Sequence, residues 1–196
     1  MAQDELLDYK LTEAHSNKLL LIMTGIDGSL SGYNGKYDII ANDMKENFDI
    51  STLVVALPFG AWNYMEQIFN FSINKIEEYF NDKGIKDYEI FAMGSSAGGT
   101  NILLFMKKCP KISKICAINP VFSVNFDKIL KNLKSNHIKK TIILGERDMS
   151  ISDYQLLQKI EDVNTIVIPN GDHNLSGEDN FKFFLDIPKM FFIDKK

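Results

Sequence analysis

Ser96 stands in the run Gly94-Ser95-Ser96-Ala97-Gly98-Gly99, a G-x-S-x-G pattern centred on a residue that can act as a nucleophile. A serine held in a sharp turn between a strand and a helix projects its oxygen above the sheet. Small residues two positions to either side let the chain double back there. The free N–H groups at the start of the following helix then face any negative charge that develops beside the serine. Serine attacks a carbonyl only when a base takes its proton, and the chain has three histidines, His15, His137 and His173. A carboxylate must in turn fix the tautomer of that base and stabilise its protonated form. Asp148, in Gly145-Glu146-Arg147-Asp148, is the first candidate, with Glu146, Asp153 and Asp172 as alternatives. Asp172 is the poorer partner for its neighbour His173, because adjacent side chains in an extended loop point apart. A turn or a helix cap would be the purely structural use of Asp148.

The elements that must position these residues are legible as alternating patterns. Apolar runs at Lys18–Thr24, Ser51–Leu57, Tyr88–Met93, Ser113–Ile118, Lys140–Leu144 and Thr165–Ile168 are rich in Ile, Val and Leu without polar alternation. That is the pattern of strands buried on both faces of a parallel sheet. Between or after them lie helical stretches at Lys36–Phe48, Tyr64–Lys83, Ala97–Lys108, Val124–Leu133, Ser152–Glu161 and Glu178–Phe192, with Pro188 expected to bend or restart the last. Leu6–Leu11 reads as an added antiparallel edge strand. The reading is an α/β fold: one domain over 1–196, a mostly parallel central sheet, and helices on both faces. In such sheets ligands bind beyond the carboxyl ends of the strands. Ser96 follows the third run, Asp148 the fifth and His173 the sixth, all at that edge. His15 and His137 precede strands and fall at the opposite one.

The chain order Ser96, Asp148, His173 is the order Ser…Asp…His of the α/β-hydrolase superfamily, which the sequence resembles from about Lys18 to its end. Gly-Ser-Ser-Ala-Gly-Gly resembles the elbow of the hormone-sensitive-lipase-like esterases. The resemblance implies that Ser96 is the nucleophile, His173 the base and Asp148 the acid. Thr24-Gly25-Ile26-Asp27-Gly28 corresponds to the loop where many members carry His-Gly-x. By that correspondence the oxyanion donors are the backbone N–H groups of Ile26 and Ala97. The implied activity is a serine hydrolase that cleaves a carboxylic ester or thioester through an acyl-enzyme. A non-catalytic binding or scaffold protein on the same fold is the alternative.

Composition narrows the partners. A net charge of −4 and a pI near 5.4 argue against nucleic acid. The densest basic cluster, Lys107, Lys108, Lys111 and Lys114, reads as a solvated helix end and loop. No run approaches the 18 apolar residues of a membrane span, so no stable membrane insertion is expected. With no secretory signal at the start and only Cys109 and Cys116, a reducing cytoplasmic compartment of a bacterial cell is the expectation. The Gly-rich segment Gly25–Lys36 fails the P-loop spacing, since Leu30 and Tyr37 stand where Gly and Ser or Thr are required. No two histidines have metal-ligand spacing, so neither cofactor nor metal is expected. The partner is a small-molecule or acylated substrate. Only about twenty residues join the fourth and fifth strands, which predicts an open site with no cap domain. Phe59, Trp62, Phe122 and Met149 follow strand ends and are candidate pocket walls. The Phe-rich C-terminal stretch is expected to cover the sheet.

Overall fold

The structure, a computed structural model, describes residues 7–134 and 137–194. Each apolar run forms a strand: β2 (Lys18–Ile26), β3 (Ser51–Leu57), β4 (Glu89–Ser95), β5 (Ile112–Ile118), β6 (Lys139–Gly145) and β7 (Val163–Ile168). A short first strand, β1 (Tyr9–Thr12), runs antiparallel to β3 from Tyr9↔Val55 to Thr12↔Thr52. The expected edge strand is therefore present, shifted toward the chain's interior; Leu6 lies outside the described residues. The sheet order is β1-β3-β2-β4-β5-β6-β7, with every pairing except β1–β3 parallel.

Alternate residues of each strand enter opposite layers. Leu19, Leu21 and Met23 of β2 pack with α2 (Met65–Asp82), α3 (Ala97–Phe105) and α4 (Phe126–Leu133). Leu20 and Ile22 pack on the other side with α1 (Lys36–Phe48) and α6 (Glu178–Phe191). This two-sided burial is why the strands read as continuous apolar runs. In α2, Met65, Ile68, Phe69, Ile76 and Phe80 recur at helical spacing and are all buried.

Three local expectations shift. The helix expected over Ser152–Glu161 is a 3-10 segment, Met149–Asp153, followed by one α turn, α5 (Tyr154–Leu157). Leu157 is the one fully buried residue of that turn, while Tyr154 and Ile160 pack only part-buried against the core, which is too little burial to sustain a longer helix. Helix α6 runs through Pro188 without restarting, anchored by buried Phe184 and Ile187 and, just past its end, Phe192, whose ring stacks on Phe91 at 5.5 Å. Lys114 does not sit at a solvated helix end. It is buried in β5, and its ammonium donates to the Phe192 carbonyl at 2.9 Å and to Asp194 at 2.8 Å. Both cysteines are buried free thiols. No helix among the described residues is long and apolar enough to cross a membrane.

Candidate active site

Ser96 joins β4 directly to α3 and holds φ 52°, ψ −121°, a strained conformation for a residue with a side chain. The surrounding glycines make that turn possible by close backbone approach. A Cβ on Gly98 would lie 2.2 Å from the Met23 carbonyl oxygen of β2, and one on Gly94 would lie 2.5 Å from the Gly98 carbonyl carbon. The strand, the elbow and the helix therefore meet with no room for a methyl group. Ser96 donates its N–H to Ile118 of β5 at 2.8 Å, which ties the turn to the sheet.

The loops after β6 and β7 bring the other two groups to the serine. His173 Nε2 lies 2.9 Å from Ser96 Oγ, and His173 Nδ1 lies 2.5 Å from Asp148 Oδ2. Asp148 also accepts at Oδ1 from the Ser150 N–H at 2.8 Å and from its hydroxyl at 2.5 Å, starting the 3-10 segment. The capping and histidine-orienting uses of Asp148 thus coexist, one per carboxylate oxygen. Burial alone would raise this carboxyl's pKa, but the Ser150 bonds and the His173 ring outweigh it and hold it below the usual carboxylate range. The Asp148 side chain is 4% exposed and that of His173 47%, so the carboxylate is enclosed and the imidazole faces solvent.

The rival carboxylates turn elsewhere. Asp172 Oδ1 accepts from the N–H groups of Asn174 and Ser176 within its own loop, and Glu146 Oε2 accepts from the Asn170 N–H. Asp153 lies at the far end of the 3-10 segment that Asp148 starts, and burial raises its carboxyl above the ordinary value. His15 and His137 precede β2 and β6 at the opposite edge of the sheet.

The two N–H groups expected to receive an oxyanion flank Ser96. Ala97 opens α3, so its N–H has no partner in the helical ladder. Between Met23 and Ile26 the β2–β3 register slips by one residue, and the Thr24 hydroxyl takes the Leu57 N–H at 3.0 Å. Past this bulge the Asp27 N–H bonds Leu57 of β3 at 2.8 Å. Successive strand N–H groups point to opposite neighbours, which leaves that of Ile26 on the β4 side, beyond the last β2–β4 pair, Met23↔Gly94. Ile26 and Ser96 line one cavity of about 190 Å³.

A second cavity, of about 210 Å³, opens on the other side of His173 between Phe122 and Met149. Phe122 is buried and Met149 lies 86% exposed at the rim. Phe59 and Trp62 line neither cavity: they follow β3, which is separated from β4 by β2, and Phe59 is 89% exposed. Between β5 and β6 the described residues hold a 3-10 turn at Phe122–Val124 and the single helix α4, with no cap among them. Nor do they contain a cluster of three side chains fit to hold a metal.

Asn119 is a site residue that sequence reasoning missed. It follows β5 at φ 44°, fully buried, and its Nδ2 donates to the carbonyls of Asp172 at 3.0 Å and His173 at 2.9 Å. Its Oδ1 accepts from the Gly145 N–H at 2.7 Å. One amide thus joins the His173 loop to the end of β6, from which Asp148 departs. A polar residue directly after a strand was the available signal.

No protein-family model and no curated protein matches the sequence. Solved structures do match in shape. Est1E from Butyrivibrio proteoclasticus is 13% identical, with a TM-score of 0.65 over 94% of this chain and 92% of that one. S-formylglutathione hydrolase (FrmB) from Staphylococcus aureus is 17% identical, with a TM-score of 0.63 over 91% and 81%. Dienelactone hydrolase from Anabaena variabilis is 13% identical, with a TM-score of 0.69 over 95% and 90%. All are α/β hydrolases, and the chain has the α/β-hydrolase fold.

Proposed function

We propose that this α/β-hydrolase fold carries a serine hydrolase that cleaves a carboxylic ester or thioester of an accessible substrate. The observation that carries the reading is the unbroken relay from Ser96 Oγ through both His173 nitrogens to Asp148 Oδ2, at 2.9 and 2.5 Å. Ser96 Oγ attacks the carbonyl carbon while its proton passes to His173 Nε2. Asp148 keeps Nδ1 protonated, so that Nε2 is the free acceptor, and balances the imidazolium that forms. The carbonyl oxygen becomes an oxyanion received by the N–H groups of Ile26 and Ala97, a contribution on the order of 3 kcal/mol per donor in such sites. Collapse of the tetrahedral intermediate expels the alcohol or thiol, which takes the proton from Nε2. A water, deprotonated by the same nitrogen, then releases the acid and restores Ser96. That two of the structural neighbours are an S-formylglutathione hydrolase and a dienelactone hydrolase supports a hydrolytic reading.

The test is covalent labelling with a fluorophosphonate, read by intact mass, alongside hydrolysis of 4-nitrophenyl acetate. Wild type gains one label, and Ser96→Ala gains none and loses hydrolysis. Folded wild-type protein that neither labels nor hydrolyses refutes the proposal and places the chain among non-catalytic users of the fold.

A further inference from the structure

The cavity beside Ser96 adjoins a larger one of about 440 Å³, and the two share Tyr33, Lys36, Asn174 and Phe184 as walls. Lys36 is half-buried between them, its Nζ 3.9 Å from the centre of the Phe184 ring and 5.2 Å from that of Tyr37. Among the described residues no carboxylate lies within ion-pair distance of it. Asp38, the acidic group of the same helical turn, instead pairs with Lys10 at 2.8 Å. Among the described residues no Asp or Glu lines either cavity, and Asn174 and Ser176 add polar side chains to the larger one. The Gly-rich segment that fails as a P-loop instead walls the cavity beside Ser96, with Gly32 so close to the start of α1 that a Cβ there would lie 2.8 Å from the Tyr37 ring and 2.9 Å from Lys36 Cγ.

The electrostatics of this ammonium are one-sided. It opens α1, where the helix dipole disfavours a cation, and it has aromatic faces in place of a counter-ion. Burial accordingly lowers its pKa from the ordinary lysine value. A bound anion would supply the missing charge. On the far side of His173 the second cavity is bordered by Asp148 and Asp153 and contains no lysine or arginine, so the two sides of the centre differ in sign.

We infer that the substrate is an ester or thioester with an anionic group, a carboxylate or phosphate, on the half that enters the Lys36 cavity. The inference rests on Ser96 as the nucleophile and adds the substrate's charge.

Two matched pairs of esters test it: mono-4-nitrophenyl glutarate against 4-nitrophenyl pentanoate for an anionic acyl half, and 4-acetoxybenzoate against 4-methylphenyl acetate for an anionic leaving group. The expected result is a kcat/KM at least tenfold higher for the anionic member of one pair. Lys36→Met should collapse that ratio and Lys36→Arg should keep most of it. Equal rates within both pairs, or a preference that survives Lys36→Met, would overturn the inference. Calorimetric titration of Ser96→Ala with mono-methyl glutarate gives a readout independent of turnover. Binding should weaken at least tenfold when Lys36→Met is added, and undiminished or undetectable binding in Ser96→Ala counts against the inference. A protein that binds in this Lys36-dependent way yet never hydrolyses or labels would keep the anion site and refute the hydrolase.

Discussion

Asn119 gives the sharpest test of how the site is assembled, because one buried amide makes all the contacts. Replacing it with glycine removes two donations to the carbonyls of Asp172 and His173 and the acceptance from Gly145 N–H. Glycine also tolerates the φ of 44°, so backbone strain does not enter the comparison. Each buried group left unsatisfied costs about 1–3 kcal/mol, and water entering the gap would recover part of that. A net loss of about 3–5 kcal/mol follows, survivable for a domain with the usual 5–15 kcal/mol. The effect on rate is separate. With its carbonyl untied, His173 can drift from Ser96, and a misplacement of about 1 Å costs on the order of 10²-fold. Urea unfolding and steady-state hydrolysis of 4-nitrophenyl acetate measure the two effects. The expected outcome is a lower unfolding midpoint together with a kcat reduced about 10²-fold and a KM changed much less. Asn119→Asp retains an acceptor for Gly145 but turns a carboxylate oxygen on two carbonyls, and should do worse than glycine. If Asn119→Gly turns over within twofold of wild type while folded, the amide does not position His173 and the reasoning fails.

The remaining expectations concern the acid and the elbow. Asp148→Asn keeps a cap for Ser150 but places an amide against His173 Nδ1, so kcat should fall by up to about 10⁴ with a stability loss of about 1 kcal/mol or less, whereas Asp172→Asn and Glu146→Gln should turn over near wild type; crippled turnover in either of those with a normal Asp148→Asn would reassign the acid. Asp148 is held below its ordinary range when folded, so its contribution to stability is complete above the unfolded value of about 4 and is lost as pH falls through the lower folded value; the stability gap between wild type and Asp148→Asn, from urea unfolding across pH, should narrow toward strong acid, and a gap that widens there would refute the assignment. Gly98→Ala gains up to about 1 kcal/mol of helix propensity, but its methyl would lie 2.2 Å from the Met23 carbonyl oxygen, so thermal unfolding should show a net loss of stability, and a gain would mean that β2 and α3 are not in contact there.

The fold was legible because nearly every strand is apolar on both sides. The runs at Ser51–Leu57 and Lys18–Thr24 needed no alternation to be read, and the structure places β3 on the first and extends β2 two residues beyond the second. The segment after Asp148 was misread for the complementary reason. Its residues allow a helix, but over Ser152–Glu161 only Leu157 is fully buried, with Tyr154 and Ile160 packed part-buried against the core, and burial rather than propensity decides how long a helix persists. Ser96 was visible through its glycines and His173 through its place after the last strand. Lys36 was hidden among 21 lysines, since nothing in its neighbours signals that one ammonium sits over a phenylalanine nearly 150 residues further on. Asn119 was hidden because its partners at 145, 172 and 173 become neighbours only through the sheet order.

Those hidden contacts explain how an exposed histidine keeps its place. The loops that carry Asp148 and His173 are held to each other by backbone and side-chain bonds together: Arg147 N–H donates to the Gly171 carbonyl at 2.8 Å, Glu146 N–H to Ile168 at 3.0 Å, and the Arg147 guanidinium to Asn170 Oδ1 at 2.6 Å. A Cβ on Gly145 would meet the Gly171 carbonyl oxygen at 2.5 Å, so the two loops touch main chain to main chain. Asn119 joins that pair to β5, and the Ser96 N–H bond to Ile118 joins the elbow to the same strand. His173, Asp148 and Ser96 are therefore all referred to the end of one central strand, β5, through short bonds. A half-exposed imidazole would otherwise sample several rotamers in water. Held by its own carbonyl at one end and by Asp148 at the ring, it has little freedom left to lose, which is the preorganisation that the proposed acyl transfer at an open site would require.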